Sequence, residues 1–322
     1  MELKKSQIKM WSRLGTRAAY GLGILELSKN IDNLMVLTGD TSTSAGLDRF
    51  KKKFPDRYLE VGIAEQNMMG IAAGLSSEGF KVITSTFSPF QTLRCCEQIK
   101  VNVGYMNHKV CMVGLASGIA LSALGYTHCS IEDISIMRSI PGITILSPAD
   151  CGETVKATAA ALGHNGSVYI RITGETRDCQ VYDENYDFKI GKAVTLKEGS
   201  DVTIFATGTM VKESLLASER LSEMGISASV VNMHTIKPID KEAIQKACET
   251  TKLIVSAEEH NMLGGLGSAI SEYKSTITGA PPQLFIGLPD AYGKAGNYDS
   301  LLKGFGLTAE GIFEKIASKI KN

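Results

Sequence analysis

Short apolar runs alternate with longer segments of helical period along nearly the whole chain, and the alternation lapses once. LMVLTGD (34–40), KVITST (81–86), KVCMVG (109–114) and GITILSP (142–148) read as buried strands, the first and last running into turns. The order fits a mostly parallel sheet with helices on both faces, because parallel neighbours need a crossover long enough to hold a helix. From about Ile172 to Ser200 the pattern dissolves into a polar stretch. It resumes through DVTIFATGT (201–209), a helix to Met224, ISASVVN (226–232), a helix after Asp240, LIVSAEE (253–259) and a helix after Gly267. The expected architecture is therefore α/β: a domain at 1–175, a linker at 176–199 and a smaller domain at 200–322. A chain of 322 residues also exceeds what one core usually serves.

Charge narrows the partners. The 34 basic and 34 acidic side chains cancel and no Lys/Arg-rich block occurs, so neither nucleic acid nor an anionic membrane is expected. The start, MELKKSQIKMWSR, lacks the apolar core of a secretory signal. CMVGLASGIALSALGY (111–126) is too short and too rich in Gly and Ser to span a bilayer as a helix. Seven cysteines without a CxxC, two of them adjacent at Cys95 and Cys96, suit reduced thiols and a cytoplasmic location.

The segment with most chemical content is LEVGIAEQNMMGIAAGL (59–75), where an apolar strand runs into a helix of small residues with Glu65 in its first turn. The positive helix end favours the ionised carboxylate, and dry Gly/Ala/Met surroundings disfavour it. If burial wins, the group can share a proton with a partner nitrogen near neutral pH. Taken alone, a Glu in a helix's first turn is more often a surface residue complementing the helix dipole.

Other segments fall into one pattern with it. GTRAAYG (15–21), LTGDTSTS (37–44), STFSPF (85–90), GYTHCSIEDISIMRSIPGITILSPAD (125–150), YIRI (169–172), NMHTIKPID (232–240) and EEHNMLGGLGSAI (258–270) cover most of the molecule. Together they resemble, in order, the carboxyl-terminal half of a transketolase: a pyrimidine-binding domain followed by the family's C-terminal domain. Such halves contact the aminopyrimidine end of thiamine diphosphate. The amino-terminal half holds the diphosphate and Mg²⁺ through a GDG motif and a following Asn, and this chain has no GDG. The resemblance thus implies half of a split enzyme, with no metal ligands of its own. An amino-terminal transketolase subunit would supply the diphosphate and magnesium site, in an assembly expected to be a heterotetramer.

Residue by residue, the resemblance gives Glu65 the role of the acid bonded to the coenzyme's ring nitrogen, and puts Phe90 where the family stacks an aromatic ring, with Phe87 beside it. Phe87 reads equally well as core, Phe90 less so. Leu93 stands where a second family aromatic would be. His128 matches the substrate-side histidine that exchanges protons with sugar hydroxyls, a task suited to imidazole. Asp40 matches a position near the coenzyme and reads otherwise as a turn cap. Arg17, Ser44 and Arg171 fall on positions holding the sugar phosphate, where guanidinium forks are the expected tool, and each reads equally as a surface or salt-bridged residue.

Two departures bear on the substrate. Ala116 replaces the phosphate-side histidine, and Leu124 the acid that reads a donor hydroxyl. A pocket stripped of polarity favours a deoxy or otherwise modified sugar. Two other functions are compatible with the pattern: the β subunit of a 2-oxo acid dehydrogenase E1 component, against which GYTHCSIED speaks, and a non-catalytic relative, against which retention of Glu65, Phe90 and His128 speaks. GGLG (264–267) lacks dinucleotide-binding spacing and reads as a tight helix start or subunit contact. His260 has no recognisable partner and no assigned role.

Overall fold

The computed structural model describes residues 3–173 and 180–321. Among these, seven strands form a first sheet: β1 (Leu34–Thr38), β2 (Tyr58–Glu60), β3 (Lys81–Phe87), β4 (Val110–Ser117), β5 (Ile143–Leu146), β6 (Ser167–Thr173) and β10 (Thr235–Lys237). Their order is β10-β5-β6-β4-β3-β1-β2. A second sheet contains β7 (Val194–Lys197), β8 (Val202–Ala206), β9 (Ala228–Asn232), β11 (Leu253–Asn261) and β12 (Gln283–Leu288), ordered β12-β11-β8-β9-β7. Pairing is parallel except at β10–β5 and β7–β9. Both β4 and β6 are buried at every position, as strands covered on two faces must be. The chain therefore has the two α/β domains expected from its alternating runs.

Two boundaries differ from the expectation. The segment taken as a linker, 176–199, contains β7, and its remaining described part is docked: Asp150 accepts from the Val181 and Tyr182 amides at 2.9 and 3.0 Å. Burial, then the neighbouring Glu153 charge, pushes the Asp150 carboxyl up to about 6. Residues 174–179 lie outside the described residues. The second difference is β10, which belongs in sequence to the second domain but hydrogen-bonds along β5 of the first.

A buried polar network joins the domains. Arg171 on β6 donates through Nε to Asp133 at 2.8 Å and through Nη2 to the carbonyls of Ser130 (3.4 Å) and Glu259 (2.8 Å), the latter on β11. Burial works against its charge, but Asp133, Tyr169 and Glu259 together outweigh it and hold the guanidinium protonated. His260, given no role from sequence, accepts from the Ile134 amide (3.2 Å) and donates through Nδ1 to the Asn261 carbonyl (2.7 Å), so it bridges β11 to the helix Asp133–Ser139. Burial pushes it down to about 4, which keeps it neutral. GGLG is the tight helix start expected: Glu258 caps the Leu266 and Gly267 amides at 2.7 and 2.8 Å.

Candidate active site

In parallel α/β sheets, binding residues gather beyond the carboxyl ends of the strands, where loops diverge. The sequence-derived candidates divide on this criterion. Asp40 follows β1, Phe87 ends β3 and Phe90 follows it, while β4 leads through Ala116 and Leu124 to His128. Arg171 instead lies within β6.

Glu65 opens the helix Glu65–Ser77 that follows β2. Met68, Met69, Ala72 and Ala73 face inward along that helix, which puts its first turn against the sheet. Glu65 is only 2% exposed. Gly39, at the end of β1, is what makes room: a Cβ there would stand 3.1 Å from Glu65 Cγ. The carboxylate has a partner that sequence reading missed. Arg94 Nη1 donates to Glu65 Oε2 at 2.8 Å, and the guanidinium carbon stands 4.0 Å from the Phe90 ring centroid. Phe90 in turn meets the His128 ring edge-on, at 5.5 Å and 73°. Glu65, Arg94, Phe90 and His128 thus form one continuous cluster, and three of these four were named from sequence.

The remaining candidates are less central. Phe87 meets Phe90 at 6.5 Å and also packs on the core of the first sheet. His128 is half-buried, with Nδ1 3.1 Å from the Thr127 hydroxyl. Asp40 is exposed in a left-handed conformation (φ 57°), its amide donating to Glu60 at 2.7 Å. Burial works against the Glu60 charge, but hydrogen bonds from Thr38, Asp40, Tyr58 and Gly62 outweigh it and hold that carboxyl below its usual range. Glu60, also missed from sequence, thereby fixes the Asp40 turn. Leu124 is 60% exposed and Ala116 fully buried. Cys95, whose thiol donates to the Phe90 carbonyl at 3.1 Å, is pushed up to about 12 by burial and then by Glu65, which disqualifies it as a nucleophile.

Arg17 and Ser44 come together and Arg171 does not join them. Leu14, Thr16, Arg17, Thr43, Ser44 and Gly46 line an open cavity of about 480 Å³ at the start of the helix Thr16–Leu27. Helix N-termini favour anions. Gly21 is what allows this approach, because a Cβ on it would fall 2.1 Å from the Gly46 carbonyl oxygen. We expect Gly21→Ala to push the 43–46 turn off the helix, costing about 1–3 kcal/mol; urea unfolding checks this, and an unchanged midpoint would count against it. The phosphate role expected of Arg171 is corrected by burial: the side chain is 1% exposed and spends its donors on Asp133, Thr173, Ser130 and Glu259.

A planar group with N–H donors fits between Glu65 and Phe90, since the Arg94 guanidinium sits there. The donor set therefore suits an aminopyrimidine ring. Among the described residues no cluster of three or more His, Cys, Asp or Glu could hold a metal, none of the cysteines forms a disulfide, and no helix is long and apolar enough to cross a membrane.

Comparison with known proteins identifies the family. Residues 12–176 match the transketolase pyrimidine-binding domain and residues 191–312 the transketolase C-terminal domain. A 6-deoxy-6-sulfo-D-fructose transketolase subunit of Clostridium sp. (strain MSTE9) is 41% identical over 90% of this chain and 89% of its own. An apulose-4-phosphate transketolase subunit of Phocaeicola vulgatus is 37% identical over 96% of this chain and 98% of its own. Among solved structures, a split gene transketolase described as an inactive β4 tetramer superposes with a TM-score of 0.88 at 37% identity, covering 95% of this chain and 98% of that one. The chain belongs to the transketolase family, as a subunit carrying its pyrimidine-binding and C-terminal domains.

Proposed function

We propose that this chain is the carboxyl-terminal subunit of a split, thiamine diphosphate-dependent transketolase that moves a two-carbon ketol unit between phosphorylated or modified sugars. One observation carries the reading: a carboxylate that is 2% exposed shares a cluster with the Phe90 ring and the His128 imidazole. Thiamine diphosphate, when bound, would supply carbon-nucleophile chemistry toward the donor ketone, with its ring held by Glu65 and Phe90. Glu65 holds a proton against the ring nitrogen, in surroundings dry enough for one hydrogen bond to matter. Phe90 offers a flat apolar face to the ring, with Phe87 behind it. His128 exchanges protons with the hydroxyls of donor and acceptor as the carbon–carbon bond breaks or forms. Asp40 lines the coenzyme side, and Arg17 and Ser44 hold the sugar phosphate at the helix start.

The diphosphate and magnesium belong to an amino-terminal partner in this reading, and the assembly is a heterotetramer. Support comes from the missing GDG, and from the outer face of the helix Glu65–Ser77, where a Cβ on Gly70 or Gly74 would meet nothing within 4 Å among the described atoms. The names of the two relatives favour ketol transfer over the 2-oxo acid dehydrogenase alternative and over a non-catalytic one.

The test is co-expression with a candidate partner carrying GDG and the later Asn, followed by a ketol-transfer assay over a donor panel. Transfer should require both chains, thiamine diphosphate and Mg²⁺. Leu124, in place of a hydroxyl-reading acid, should favour deoxy or modified donors over ordinary pentulose phosphates by about 10- to 100-fold. A strong preference for ordinary pentulose phosphates would remove the substrate assignment. Decarboxylation of 2-oxo acids without ketol transfer would remove the reaction class.

A further inference from the structure

We propose that Arg94 occupies the pyrimidine subsite as a stand-in for the coenzyme's ring and must swing out before the ring can enter, so that this one side chain sets coenzyme affinity. The inference rests on the coenzyme reading above and deepens it.

The geometry is specific. The guanidinium lies over the face of Phe90, 4.0 Å from its centroid, and at the same time donates to Glu65 Oε2 at 2.8 Å. These are the two surfaces the aminopyrimidine needs: a flat apolar face and a buried carboxylate. A guanidinium meets the same demands, being planar, delocalised and edged with N–H donors. Both occupants would use the same ring face and the same carboxylate oxygen, so they exclude each other.

The arrangement also answers a problem of charge. Glu65 is buried in the subunit whether or not a coenzyme is present, and a buried carboxylate without a partner is costly. Arg94 supplies the partner while the ring is absent. It can also leave, because its side chain is 39% exposed while that of Glu65 is 3% exposed. Arg94 sits in the turn after the short helix Ser88–Gln91, held by one backbone bond from its amide to the Pro89 carbonyl (3.1 Å), so moving the side chain disturbs no helix. When the guanidinium swings into solvent, Glu65 is left without a counter-charge and ready to bond the ring nitrogen. Every binding event then carries the work of breaking this pair, which weakens apparent affinity in proportion to the time the subsite is filled.

The experiment measures thiamine diphosphate binding, by isothermal titration in the presence of Mg²⁺, to the chain co-purified with its amino-terminal partner. Arg94→Ala should bind about tenfold more tightly than wild type. Arg94→Lys should fall between them, since an ammonium can pair with Glu65 but cannot lie flat on Phe90. In a Glu65→Gln background the gain from Arg94→Ala should shrink to within about twofold. Equal or weaker binding by Arg94→Ala, with wild type binding normally, overturns this proposal alone. A structure of the loaded complex with the guanidinium still on Phe90 does the same. If neither wild type nor any variant takes up thiamine diphosphate, the coenzyme reading itself falls and takes this one with it. Arg94→Ala strands the Glu65 carboxylate, so without coenzyme it should unfold at a lower temperature than wild type and regain part of that loss once thiamine diphosphate is bound; a single cooperative transition for each variant excludes misfolding as the cause.

Discussion

Replacing Glu65 by Gln should lower coenzyme-dependent ketol transfer by the assembled enzyme about 10²–10⁴-fold, the range a positioned acid contributes. The substitution preserves size and hydrogen-bonding shape, so the small space left by Gly39 still accommodates it. It removes the ability to hold a proton against a ring nitrogen. Because Arg94 is partly exposed, losing its counter-charge should cost the fold little. Steady-state kinetics paired with thermal unfolding therefore separate the roles: kcat should collapse while the unfolding temperature stays within a few degrees. A kcat within about tenfold of wild type would return Glu65 to the status of an ordinary helix-start carboxylate.

The largest stability effect is expected at the domain junction. Arg171→Met leaves the Asp133 carboxylate buried with, among the described residues, only the Tyr169 hydroxyl donating to it, at 2.8 Å, and strips a donor from the carbonyls of Ser130 and Glu259. Breaking one side of a buried ion pair typically costs about 3–5 kcal/mol. Replacing both members, as Arg171→Met with Asp133→Asn, should recover part of that loss, because no uncompensated charge remains. Urea midpoints for the two variants and wild type decide the matter. A loss below about 1 kcal/mol for the single variant would contradict the picture of Arg171 as the tie between domains.

These two residues also show what can be read from a linear sequence here. Glu65 was legible because its setting is local: a strand, a turn and a helix of small residues place a carboxylate at a dry helix start within one short segment. Phe90 and His128 were named through the resemblance of STFSPF and GYTHCSIED to family motifs, since neither is distinctive alone, and in the fold they stand against each other. Arg171 was open to two readings, a phosphate holder and a salt-bridged residue, and a clue to the second was present. It sits in SVYIRIT, a strand buried at every position, and a charge in such a run needs an internal partner. That partner, Asp133, is 38 positions away and reaches it only through the fold. Arg94 was invisible because its significance is a stack and an ion pair made in three dimensions, in a turn with no periodicity to follow. The same limit explains β10: an apolar run announces a strand, but not which sheet will take it.

That borrowed strand has a consequence for how the two halves could ever be separated. Seen from β5, the outermost rung of the amino-terminal ladder is lent by a downstream stretch, so a fragment cut after β6 would expose a raw flank of unpaired amides and carbonyls, an invitation to self-association. Shuffling either half onto a foreign scaffold would require a substitute rung to be supplied along with it.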